Sequence, residues 1–302
     1  MGEANKEQHY VPRTLLKRWC IDRGNRNKLV SLNLKSERIL EQEIDKICKK
    51  KNFYTLPSTY EITNKENKKL IDNIVSSTFE SRFNDVFERL LIRGNYIGED
   101  IKNLINFIYI QSIRTLKYKI ETEKLLKAEG DTKVLVHPFS IHFSALMIGG
   151  LPKFVSNASI EIFRAPISKR FVCSDNPASF WVIENGIYKN IKTLTKNEDI
   201  LLNDTFFVVC PLSPYHLGVV YPNIGIEKKQ RVFHDNTTPL LEREVIMVNK
   251  FIEFAAYKQI YAKYTSDFES TYSETSIAIN EFNKLHFTEH INRISTFTIS
   301  FD

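Results

Sequence analysis

Apolar residues in this chain follow two different periods, and the change between them bounds what it can fold into. Within residues 67–91, Ile71, Ile74, Val75, Phe79, Phe83, Val86 and Leu90 recur at three- and four-residue steps. Ile101, Leu104, Ile105 and Ile108 repeat the pattern in the next stretch. That spacing lines one face of a helix, so two amphipathic helices are expected. After residue 158 the pattern shortens. Residues 159–163, 170–174, 180–183, 206–210 and 217–221 are brief runs rich in β-branched and aromatic side chains, which read as strands. A closing helix is expected over about residues 240–261, with Val245, Val248, Ile252, Ala255, Ala256 and Ile260 inward. The resulting expectation is an α+β fold in which a helical N-terminal half packs on a mainly antiparallel sheet from the C-terminal half.

Smaller elements precede the helices. Pro12 can open a short helix over residues 13–20 with Leu15, Leu16 and Trp19 on its buried face, and residues 29–33 and 38–40 read as a hairpin. With 42% hydrophobic residues, a sizeable core is available to one compact domain spanning residues 1–302. Within it a helix-rich lobe covers about residues 1–130, a strand-rich lobe 131–265 and a polar tail 266–302, the tail helical in part over 276–283.

Composition removes several function classes. Ten glycines in 302 residues, with no Gly-x-Gly-x-x-Gly and no Gly-Lys-Ser/Thr loop, argue against Rossmann and P-loop nucleotide folds. The four cysteines lie too far apart for a Cys-x-x-Cys metal knuckle and read as free thiols in a reducing compartment. No apolar run approaches the roughly 20 residues that cross a bilayer, and the first residues are not a basic-then-apolar leader, so a cytoplasmic protein without a membrane partner is expected. Lys6 stands where a myristoylation signal wants Ser or Thr. The net charge of +6 is a mild excess that favours nucleic acid or another anionic ligand. Lys49, Lys50 and Lys51 form the densest basic run, which serves either as a solvated face or as a nucleic-acid contact.

Two tetrapeptides carry the candidate chemistry: His9-Tyr10-Val11-Pro12 and Ser174-Asp175-Asn176-Pro177. Each sets a polar side chain beside a proline that restricts the backbone. His9 can serve as general acid or base near neutral pH, and Asp175 can orient it or hold a metal. Glu80 lies off the centre of the first helical stripe. Gln111 and Arg114, three residues apart, project to one side of the second helix. Arg114 suits a phosphate, Asn176 offers an amide to a developing oxyanion or a base edge, and Glu80 with Asp175 is a candidate pair for Mg²⁺ or Mn²⁺. His9, Glu80 and Asp175 are thus the candidate catalytic residues; Gln111, Arg114 and Asn176 are the candidate substrate-binding residues. Each has a structural counterpart. A flanking Glu or Arg commonly makes an interhelical salt bridge, a lone His bonds a neighbouring carbonyl, and Asp-Asn-Pro is a common turn. His137, His142 and His216 fit no hydrolase or metal-binding spacing, and Ser213 lacks the glycines of a nucleophile elbow.

These motifs have an order: His-Tyr-Val-Pro, Phe53-Tyr54, the Glu80 helix, Gln111-x-x-Arg114, Ser-Asp-Asn-Pro, Pro211-Leu212-Ser213-Pro214, then Asn249 before Ala255-Ala256. That order resembles the uncharacterised family called domain of unknown function 4238, over about residues 9–262. Thr14-Leu15-Leu16 departs from it where a more aromatic pair is usual. The resemblance implies that His9, Glu80, Gln111, Arg114, Asp175 and Asn176 form one constellation, and it gives no substrate. Two functions follow as expectations. One is a phosphodiester hydrolase acting on nucleic acid, a nuclease-like effector of bacterial defence. The other is a non-catalytic module that binds nucleic acid or a protein partner.

Overall fold

The computed structural model describes residues 7–23, 26–51, 53–54, 80–128, 158–184, 187–191, 206–221, 233–235 and 238–268. The chain opens with strand β1 (Glu7–His9) and one turn of helix, α1 (Arg13–Leu16), which tightens into a 3₁₀ turn over Lys17–Trp19. Pro12 caps that turn, its carbonyl accepting the N–H groups of Leu15 and Leu16. Leu15, Leu16 and Trp19 are fully buried, and the indole N–H of Trp19 donates to Phe171 O at 2.8 Å. Strands β2 (Ile21–Arg23), β3 (Arg26–Asn33) and β4 (Ile39–Glu43) follow as an antiparallel set. β5 (Lys49–Lys51) returns to pair with β1.

The helical segment comprises α2 (Ser81–Phe87), which widens into a π turn over Glu88–Arg93, then α3 (Gly98–Ile113) and α4 (Leu116–Ala128). Residues 67–79 of the first expected helix, like the tail helix at 276–283, lie outside the described residues. Gly94 closes the π turn at φ +66°, a left-handed geometry that favours glycine. Asp100 then fixes the entry to α3: Oδ2 accepts the Ile97 N–H at 3.1 Å, and both carboxylate oxygens take the Arg89 guanidinium.

A six-stranded sheet forms the centre. It is built from β6 (Ser159–Arg164), β8 (Ser179–Glu184), β9 (Ile187–Ile191), β10 (Phe206–Ser213), β11 (His216–Tyr221) and β12 (Phe233–Asp235). Its order is β12-β6-β11-β10-β8-β9, antiparallel except for the parallel pair β12–β6. A second sheet joins the N-terminal strands to β7 (Cys173–Ser174) and β13 (Gln259–Ala262). It runs β2-β3-β13-β7, with β4 also on β3. The central sheet is buried on both faces. Ile160, Ile162, Phe206 and Val208 pack with α2, α3 and the N-terminal turn; Phe163, Phe207, Val209 and Val219 pack with α5 (Glu242–Ala255) and the second sheet. Gly218 lets α3 approach closely, since a Cβ there would lie 3.1 Å from Ile108 Cδ1. Among the described residues no helix is long and apolar enough to cross a membrane.

The arrangement corrects the expected fold, in which a helical N-terminal half packs on a C-terminal sheet. Among the described residues strands occupy both ends of the chain, and the helices lie between them and at Glu242–Ala255. β1, β2 and β5 are three residues each, too short and too polar to register as a period, and β3 finds its partner in β13 near the far end. The closing helix also stops early. Ala256 is extended at ψ 158°, and the residues expected to finish the helix form β13 instead.

Candidate functional site

The first cluster is built where α3 ends. Arg114, at the C-cap of α3, is 2% exposed and directs its guanidinium at three acceptors. Nη1 donates to Glu80 Oε1 at 2.6 Å, Nη2 to His9 O at 2.7 Å and Nε to the Tyr54 hydroxyl at 2.9 Å. One turn earlier on α3, Gln111 Nε2 donates to Tyr10 O at 3.1 Å. On β1, Gln8 Oε1 accepts the Tyr54 N–H at 2.8 Å. Two of the acceptors, His9 O and Tyr10 O, are main-chain carbonyls of the His-Tyr-Val-Pro segment, where the chain leaves β1 and its buried polar groups need side-chain partners. The His9 imidazole makes a different bond, Nε2 to Ile44 O at 3.3 Å. Burial holds its pKa below the ordinary 6.5, with the Ile44 carbonyl opposing.

The second cluster receives the end of α5. The two oxygens of Asp175, a residue 3% exposed, accept the N–H groups of Tyr257 at 2.8 Å and Lys258 at 2.9 Å, and its own N–H donates to Gln259 O. Asn176 Nδ2 donates to Ala255 O at 2.8 Å, and Lys117 Nζ reaches the same carbonyl at 2.7 Å. Helix ends leave carbonyls without intrahelical partners, and these side chains supply them while turning the chain into β13. Burial pushes the Asp175 carboxyl up to about 6, opposed by the N–H groups of Tyr257, Lys258 and Gln259 and by the charge of Lys117. Beyond the carboxylate lie Tyr10, Cys48, Tyr261 and Cys173, whose pKa values burial also raises. Cys48 is held at φ +51°.

Thr115 joins the two clusters. It follows Arg114 in the chain, its Oγ1 accepts the Tyr118 N–H at the start of α4, and it donates to Asn176 Oδ1 at 2.6 Å. The structure therefore connects Glu80, Arg114 and the His9 carbonyl directly, and reaches Asn176 through Thr115. Asp175 lies next to Asn176 and contacts the α5–β13 turn.

The family model described as Protein of unknown function (DUF4238) matches residues 7–266. The chain belongs to this family. The match begins at β1 and ends in the 3₁₀ turn Thr265–Phe268, so it contains every residue of both clusters. No curated protein and no solved structure matches the chain.

In this DUF4238 protein both members of the candidate metal pair have partners within the chain. Glu80 is engaged by Arg114, and both Asp175 oxygens are engaged by main-chain N–H groups. Among the described residues no group of three or more His, Cys, Asp or Glu side chains is placed to hold a metal. A shallow surface depression, partly open to solvent, lies beside Asn176 and Lys117, with Ser112, Ser179 and Asn190 also lining it.

Several polar residues of the DUF4238 framework have no chemical signature in the sequence. Thr115 and Lys117 carry no motif of their own, and Tyr54 enters only as half of the Phe53-Tyr54 pair. From α5, Asn249 brackets Phe171 in the segment before β7, Oδ1 accepting Val172 N–H and Nδ2 donating to Arg170 O, each at 2.9 Å. Ser213 Oγ sits 2.9 Å from His216 Nδ1 and accepts the Tyr215 N–H, which orders the β10–β11 turn. Burial, helped by the charge of Arg164 and opposed by Asp235, pulls His216 down to about 4.

Proposed function

We propose that this DUF4238 protein is a binding module rather than a phosphodiesterase, and that nucleic acid is its ligand class. The observation that carries the reading is the engagement of the candidate catalytic groups by the chain itself. A general base must reach its substrate proton within about 3 Å. The Asp175 oxygens instead hold Tyr257 and Lys258, and the Arg114 donors hold Glu80, Tyr54 and the His9 carbonyl. Freeing a buried charged group from such partners costs about 3–5 kcal/mol, which favours a scaffold role. The net charge of +6 supports an anionic ligand. The four free cysteines support work in the cytoplasm.

A second reading, a phosphodiester hydrolase, is favoured by one observation: a buried carboxyl with a pKa near 6 is the kind of group catalytic sites contain. Fluorescence anisotropy with labelled duplex DNA, duplex RNA and single-stranded RNA tests the binding proposal. The expected result is saturable binding that survives His9→Ala. Absence of binding to all three, with the protein folded, refutes it.

A further inference from the structure

We draw no further inference here: the strongest candidate, the exposed apolar surface patch of Ile92, Tyr96 and Ile97 where the π turn passes into α3, carries none because nothing in the structure shows what covers it.

Discussion

Replacing Asp175 by asparagine changes how stability depends on pH, and the sign is fixed by the burial of the carboxyl group. The folded chain holds the Asp175 proton up to about pH 6, against an ordinary value of 3.8, because burial disfavours the charge more than the N–H groups of Tyr257, Lys258 and Gln259 favour it. Between those values the folded state carries a proton that the unfolded state has lost. Stability from this group is therefore complete below pH 3.8 and falls as pH rises to about 6. At 1.36 kcal/mol per pH unit the gap amounts to about 3 kcal/mol. An amide does not ionise, so the fall disappears in Asp175→Asn. The same amide accepts one of the two N–H groups and faces the other with a donor, which offsets part of the gain at pH 7 by about 1–3 kcal/mol. The assay is urea denaturation of both proteins at pH 4, 5, 6 and 7, read as the difference between them. His216 titrates in the same window with the opposite sign and cancels in that difference. The wild type is expected to lose about 2 kcal/mol relative to Asp175→Asn from pH 4 to 7, the rest of the gap being lost below pH 4. A difference that stays flat, or that favours the wild type as pH rises, would rule out a raised Asp175 pKa.

Other expectations follow from individual contacts. Arg114→Met leaves Glu80, Tyr54 and the His9 carbonyl without their donor and is expected to lower stability by about 3–5 kcal/mol in urea denaturation. A double-mutant cycle with Glu80→Gln should then return a coupling of at least about 1 kcal/mol, and additivity would argue against the ion pair. Gly218→Ala sets a methyl group 3.1 Å from Ile108 Cδ1 and 3.2 Å from Leu212 Cδ1 and should cost about 1–3 kcal/mol; a rise in thermal midpoint would be incompatible with the close approach of α3. The His216 imidazole, with its folded pKa near 4 against an ordinary 6.5, should remain neutral at pH 5.5 by NMR. Stability from that residue is lost as pH falls below 6.5, and an imidazolium signal at pH 5.5 would contradict its burial.

The elements legible in the sequence are those whose apolar residues form a long, uniform pattern. β6, β8, β10 and β11 show as apolar blocks because the central sheet is covered on both faces, and α3 shows through its helical spacing. The same logic hides β13. Ala255, Ala256 and Ile260 continue the spacing of α5, and the group that ends the helix is Asp175, 82 residues earlier than the Tyr257 N–H it accepts. β1 and β5 are hidden because three-residue polar strands have no period to read.

The site is legible to a different degree. His9, Glu80, Gln111, Arg114, Asp175 and Asn176 stand out because their side chains are distinctive. Their partners do not, because those partners are largely main-chain groups: the carbonyls of His9, Tyr10 and Ala255 and the N–H groups of Tyr257 and Lys258. Every residue has such groups, so a sequence does not mark the ones a side chain will hold. The same residue types therefore suggest catalysis in the sequence and a clamp in the fold.

On the proposed reading the polar network holds the fold and performs no chemistry, so every nucleic acid it meets should stay uncut. Incubation of the purified protein with labelled transfer RNA, single-stranded RNA, and single- and double-stranded DNA, in Mg²⁺, in Mn²⁺ and in EDTA, checks this. Asp175→Asn and His9→Ala, each verified as folded, run beside the wild type. Intact substrates are expected in every lane, with nucleic acid bound. Cleavage by the wild type that disappears in both folded variants would contradict the scaffold role and make the network a nuclease site.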